Sequence, residues 1–203
     1  PVERAPTPGF RRVRIVALAI NAVMFLVEVG AGLIAGSLSL QADALDFLGD
    51  AGNYALTLFV LGMTLKARAT AALVKGATMV VLGVFVLVQG VVHAVTGGVP
   101  QAEIMGATAL AALVANAAVA AMLYRYRDGD SNARSVWLCS RNDVLANLAV
   151  LLAASGVFAL GSRWPDLAVA AFIASLALTS GWQVVREARR ERSSCGRSTV
   201  HVP

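Results

Sequence analysis

The chain alternates long apolar runs with short polar connections. Six runs are each long enough to cross a bilayer as a helix, which takes about 20 residues: Val13–Ala35, Leu38–Leu65, Ala69–Val95, Ile104–Tyr124, Val136–Leu160 and Leu167–Val185. The connections contain helix-breaking residues, for example at positions 97–100 and 128–132. The runs lack the period-two alternation of membrane strands. The pattern therefore predicts an all-α membrane protein, a bundle of six transmembrane helices.

Composition supports the same class. Of the 203 residues, 58% are hydrophobic and 14% are charged, and the mean hydropathy is +0.71. Soluble domains contain about 25% charged residues, so a water-soluble domain is excluded, and so apolar a chain is not disordered. Two cysteines do not make a disulfide scaffold. We expect a cytoplasmic N-terminal arm (1–12), a six-helix transport domain (13–187) and a short basic cytoplasmic tail (188–203).

The basic residues predict the orientation. Of the 17 Lys and Arg residues, all but Arg163 lie in or beside the N-terminal arm, the second connection, the fourth connection and the tail. The positive-inside rule then places both termini in the cytoplasm, for a multi-pass protein of the bacterial inner membrane. Spread over four membrane-flanking segments without a recognition motif, the net charge of +5 indicates contact with lipid headgroups and no nucleic-acid partner.

Five carboxylates fall inside the apolar runs: Glu28, Asp43, Asp46, Asp50 and Asp143. Each costs about 2.5–3.5 kcal/mol near the bilayer centre, so they must face protein, a wet cavity or a cation. In the second run, Asp43, Asp46, Asp50 and Asn53 form one polar stripe at 100° per residue. Asp46 and Asp50 are one turn apart, and two such charges favour a cation between them.

The fifth run supplies a second polar face, on or beside which lie Cys139, Asn142, Asp143 and Asn147. Together with Asp46 and Asp50, these residues offer a four-ligand shell, which suits Zn²⁺ and related ions. Two alternatives to a metal site remain. In the first, the carboxylates pair with a buried base or stay protonated, which the lack of Lys or Arg at mid-depth disfavours. In the second, Cys139 serves only as a small apolar residue and binds no metal.

Other polar residues carry weaker signals. Asn21 and Glu28 share a face of the first run and either support the site or open a water path. Asn116 in the fourth run is expected to form an interhelical hydrogen bond. No phosphate-binding loop, zinc-protease motif or nucleophile–base set is present in the sequence, so we do not expect an enzyme.

The segment from Glu28 to Asp50 resembles the first-to-second helix signature of the cation diffusion facilitator family. The shared features are a Glu-x-x-x-Gly stretch, the Gly36-Ser37-Leu38 turn, an Ala-Asp pair at Asp43 and an acidic pair four residues apart. Cys139-x-x-x-Asp143 is similar to the family's second metal pair, and the segment 164–166 to its entry into the sixth helix.

The resemblance implies a secondary transporter that exports divalent metals, commonly Zn²⁺ but also Cd²⁺, Co²⁺ or Ni²⁺, from the cytoplasm in exchange for protons, by alternating access. It implies Asp46, Asp50 and Asp143 as ligands, with Cys139 where a His or Asp is usual. Asp43, Asn53, Asn142, Asn147, Glu28 and Asn21 are expected to support the site or a proton path. The metal is substrate, and no cofactor is permanently bound.

The sequence departs from the family pattern in two respects. Family members usually have a cytoplasmic C-terminal domain after the sixth helix, but about eighteen residues follow Val185 here, so we expect a form with only the transmembrane domain. Whether the protein forms a homodimer is left open. No His-rich loop precedes the fifth run. Two alternative functions remain: a non-transporting membrane metal-binding or sensor partner, and a proton antiporter for a non-metal cation.

Overall fold

The computed structural model describes residues 8–59, 65–125 and 131–197. This part of the chain forms six helices and no strand: α1 (Pro8–Ala35), α2 (Leu38–Phe59), α3 (Leu65–Thr96), α4 (Ala102–Tyr124), α5 (Ser131–Leu160) and α6 (Trp164–Arg197). The predicted all-α class with six helices is confirmed. Every helix except α2 extends beyond its apolar run, most of all α6, which continues past Val185 to Arg197. Leu65, predicted as the end of the second run, is the first residue of α3.

Five of these helices contain a stretch long and apolar enough to cross a membrane, and no more than 33% of any such stretch is buried inside the protein. Large apolar side chains such as Leu33, Val81 and Phe158 are exposed on the bundle surface. Such a surface suits the hydrocarbon of a bilayer, and the protein is an integral, multi-pass membrane protein.

Helix α2 is the exception, since every long stretch of it includes Asp43, Asp46 and Asp50. The bundle explains how it tolerates them: α2 packs against all five other helices. Protein therefore buries Asp43 fully and Asp46 and Asp50 partly, as intramembrane acids require, whereas Asn53 at the end of the polar stripe is exposed.

The turn between α1 and α2 depends on one glycine. Gly36 has a φ of 65°, a left-handed conformation that side chains disfavour, and the next residue, Ser37, donates its N–H to the carbonyl of Gly32 at 2.9 Å. This arrangement ends α1 and reverses the chain directly into α2.

The start of α2 is capped by a carboxylate from α6. Asp166, which is 1% exposed, accepts hydrogen bonds from the hydroxyls of Ser37 (2.7 Å) and Ser39 (2.6 Å) and from the N–H groups of Leu38 (2.9 Å) and Ser39 (3.0 Å). A negative charge at a helix N-terminus is favourable and satisfies otherwise unpaired donors. The cap joins α2 to the start of α6.

Helices α3 and α6 form a close pair. A Cβ atom on Gly76 would lie 2.9 Å from the carbonyl oxygen of Gly181, and one on Gly181 would lie 3.0 Å from that of Gly76. The two backbones therefore touch at this crossing, as small residues allow in membrane helices.

Candidate metal centre

Three carboxyl groups meet where α2 and α5 pack together. Asp46 and Asp50 lie one turn apart on α2, and the carboxyl group of Asp143 on α5 lies within hydrogen-bonding reach of both. Asp143 is buried, and its Oδ2 atom has no hydrogen-bond partner among the described residues. The structure thus brings together the two acidic faces that the helical periodicity predicts.

The described side chains alone do not complete a metal shell. Within residues whose side chains are described, no three His, Cys, Asp or Glu side chains are arranged to hold a metal ion together. The side chains of Cys139 and Asn142 lie outside the described residues, although both positions belong to α5. Asp46, Asp50, Asp143 and Cys139 therefore all stay predicted ligands.

A basic residue lies near this cluster. Lys75 of α3 donates a hydrogen bond to Oδ1 of Asn53 on α2, one helical turn from Asp50. The sequence analysis grouped Lys75 with the second connection, whereas the structure places it ten residues into α3. Lys75 follows a connection in sequence, but its long side chain passes beside Gly52, which has no side chain to exclude it.

Asp43 belongs to a separate, fully buried polar chain. Nδ2 of Asn147 on α5 donates to both carboxylate oxygens of Asp43, at 3.0 and 2.8 Å, and Nδ2 of Asn116 on α4 donates to Oδ1 of Asn147 at 3.1 Å. Asp43 and Asn147 are both 0% exposed. The expected interhelical role of Asn116 is confirmed, and its partner, Asn147, joins α4 to the acid on α2.

Glu28 of α1 adjoins this chain. It is 0% exposed, and neither of its carboxyl oxygens has a hydrogen-bond partner among the described residues, yet it lies within reach of Asp43. A buried carboxyl group without a hydrogen-bond donor is costly. Asn21 is not part of this contact, since its Nδ2 donates to the carbonyl of Ala17 in the same helix at 2.8 Å.

Replacing Asn147 with leucine is expected to destabilise the bundle by about 2–4 kcal/mol, because Asp43 loses both bonds and Asn116 loses its acceptor in a buried site. The free energy of unfolding in detergent measures this. Asn116→Leu is the control: it removes one bond, leaves both donors on Asp43 and should cost clearly less. Wild-type stability in the Asn147 variant would mean that the polar chain contributes nothing.

Comparison with known proteins gives two findings. A family model described as the cation efflux transmembrane domain matches residues 14–191. The chain is also 24% identical over 188 residues to the zinc transporter ZitB of Escherichia coli (strain K12), and equally to the zinc transporter ZitB of Shigella flexneri. These matches cover 86% of this chain and 60% of each relative, so the chain spans about 60% of the length of these relatives.

Proposed function

The chain belongs to the cation efflux family, whose members are transporters rather than enzymes, and we propose that it exports divalent metal cations from the cytoplasm in exchange for protons. The family match confirms the resemblance of the first two helices to the cation diffusion facilitators. The observation that carries the proposal is the convergence of Asp46, Asp50 and Asp143 between two helices of a membrane bundle.

Asp46, Asp50 and Asp143 are the proposed ligands, and Cys139 is the proposed fourth. Four donors of this kind suit tetrahedral Zn²⁺, and the relatives in the comparison bear the name of zinc transporters. Cd²⁺, Co²⁺ and Ni²⁺ accept similar ligands, and a thiolate favours the softer ions among them. The metal is the cargo, and it binds only while it is being carried.

Exchange follows from the chemistry of the ligands. Carboxylates and a thiolate must lose their protons before they bind a metal, so metal loading on the cytoplasmic side releases protons. When alternating access opens the site to the other side, protons return to the same groups and release the metal. Glu28, Asp43 and Asn147 are proposed to support this site or a proton path, with both termini in the cytoplasm, as the basic segments predict.

Replacing Cys139 with serine is expected to change metal selectivity more than folding. Serine preserves the size of the side chain but removes the soft thiolate, so transport of Cd²⁺ should fall about tenfold relative to transport of Co²⁺. The ratio of the two fluxes in proteoliposomes measures this, with the thermal midpoint in detergent as the folding control. An unaltered ratio would remove Cys139 from the ligand set.

A flux screen tests the function itself. Purified protein in proteoliposomes with a pH gradient is offered Zn²⁺, Cd²⁺, Co²⁺, Ni²⁺, Mn²⁺ and Fe²⁺ in turn, and both metal and proton movements are recorded. Coupled movement of a metal and protons supports the proposal. Metal binding without flux would indicate a binding or sensor partner, and proton coupling without any metal would indicate an antiporter for another cation.

A further inference from the structure

A charged side chain lies on the outer surface of the bundle, inside the membrane-spanning part of α3. Lys75 is six residues, or about 9 Å, into the apolar stretch that begins at Ala69, and it donates a hydrogen bond to Asn53, an exposed residue of α2. Asn53 lies at a similar depth, six residues before the last residue of α2, Phe59. A charge at this depth is costly, and the exchange of metal for protons gives it no role.

The stem of this lysine lines an apolar cleft between α2 and α3. The cleft has a volume of about 510 Å³, and of the nine described residues that line it only Lys75 and Thr78 carry polar side chains. The hydroxyl of Thr78 donates to the carbonyl of Val74 in the same helix at 3.0 Å. The walls therefore suit a hydrocarbon chain better than they suit water, which needs several polar partners.

The cleft opens on the outside of the bundle. Val74 and Thr78, on its α3 side, are both exposed. Met79, which also lines it, is buried and packs against Gly49 of α2. In a bilayer the open side of this cleft faces the acyl chains of the surrounding lipid.

The lysine adds a positive charge beside these apolar walls. A Cβ atom on Gly52 would lie 3.2 Å from Cδ and 3.4 Å from Cε of Lys75, so the aliphatic stem lies directly on α2. The ammonium continues past the stem to Asn53, towards the end of α2 that the basic segments predict to be cytoplasmic. A lysine that lays its stem along an apolar surface and directs its charge towards the headgroups is said to snorkel.

We propose that the cleft between α2 and α3 binds an anionic phospholipid of the cytoplasmic leaflet, with an acyl chain in the cleft and the phosphate group on the Lys75 ammonium. Charge complementarity selects this occupant, because such a lipid carries an apolar chain and an uncompensated anion in one molecule. In a zwitterionic lipid the headgroup's own cation offsets the phosphate. Basic pockets between transmembrane helices on the cytoplasmic side are known to bind acidic headgroups. The inference requires no metal and goes beyond the proposed transport function.

The test is lipid retention by the purified protein. The full chain in detergent is mixed with equal amounts of dioleoyl phosphatidylglycerol, which is anionic, and dioleoyl phosphatidylcholine, which is zwitterionic, and native mass spectrometry gives the ratio of the two lipids in the singly lipidated protein. Lys75→Met should lower the anionic-to-zwitterionic ratio about fivefold, the contribution of one lysine near an acidic lipid. Lys75→Arg keeps the charge and should keep the wild-type ratio.

A second pair of variants tests the acyl-chain part of the site. Ala55→Phe places a ring in the cleft and should reduce the amount of singly lipidated protein although Lys75 is intact. Val81→Phe adds the same ring to an exposed position of α3 that does not line the cleft, and it should retain lipid as the wild type does. The thermal midpoint of each variant in detergent confirms that it is folded.

An exposed arginine elsewhere provides the charge control. Arg186→Met removes a positive charge from α6, outside the cleft, and should leave the lipid ratio unchanged. An unchanged ratio in Lys75→Met, or an equal fall in Arg186→Met, would overturn the proposal, since general surface charge would then explain the preference. Full lipid retention in Ala55→Phe would also overturn it, as would a lipid-free dimer that this variant dissociates, because a second copy of the chain would then occupy the cleft.

Discussion

Alanine at Asp50 or at Asp143 is expected to abolish metal-driven proton flux in proteoliposomes. Each substitution removes a carboxylate from the place where α2 and α5 meet, so a divalent ion loses one charged ligand and the exchange loses one proton-carrying group. Changes to residues that only support metal ligands cost about 10–100-fold in affinity or activity, so loss of a ligand should reduce the flux by at least about 100-fold.

The matched control is Glu103→Gln, which removes an exposed acid from the first turn of α4 and should leave the flux at the wild-type rate. Protein amount, orientation in the vesicles and thermal midpoint are compared in parallel, so that lost flux is not mistaken for lost protein. Full activity in both alanine variants would refute the assignment of these carboxylates to the transport site.

The second large effect concerns stability. Asp166→Ala is expected to lower the free energy of unfolding by about 3–5 kcal/mol, because it leaves two buried hydroxyls and two helix N–H groups without their acceptor. The start of α2 would also lose the negative charge that its dipole favours. Unfolding in detergent, followed by circular dichroism against denaturant, measures the loss.

A graded series sharpens this result. Asp166→Asn keeps one acceptor oxygen and should lose less stability than the alanine variant, and Ser39→Ala removes one donor together with its bond and should lose less still. An alanine variant as stable as the wild type, or a reversed order within the series, would show that the cap contributes little.

The helices were predictable because each is a local property of the sequence. Apolar runs of membrane-spanning length predict six helices, and the helical period alone places Asp46 and Asp50 on one face. The three aspartates that interrupt the second apolar run are also informative. They make α2 too polar to face lipid, so we expect α2 to pack among the other helices.

What the sequence could not predict depends on which helices are neighbours. Asp43 lies on the same stripe as Asp46 and Asp50, yet its partner is Asn147, which donates to it across the α2–α5 contact. Lys75 looks like a residue near a connection until α3 is seen beside Gly52. The cap on α2 comes from a residue 127 to 129 positions later in the chain, a separation that no local capping motif reveals.

The cap on α2 also affects how this helix can move. Four hydrogen bonds to one carboxylate fasten the beginning of α2 to α6, so a tilt of α2 would pivot about this end. At 1.5 Å per residue, Asp50 lies about 18 Å along the lever from Leu38, and a tilt of about 10° would carry it about 3 Å sideways. A movement of this size is enough to open or close a site whose ligands must all stay within about 2–2.3 Å of the ion.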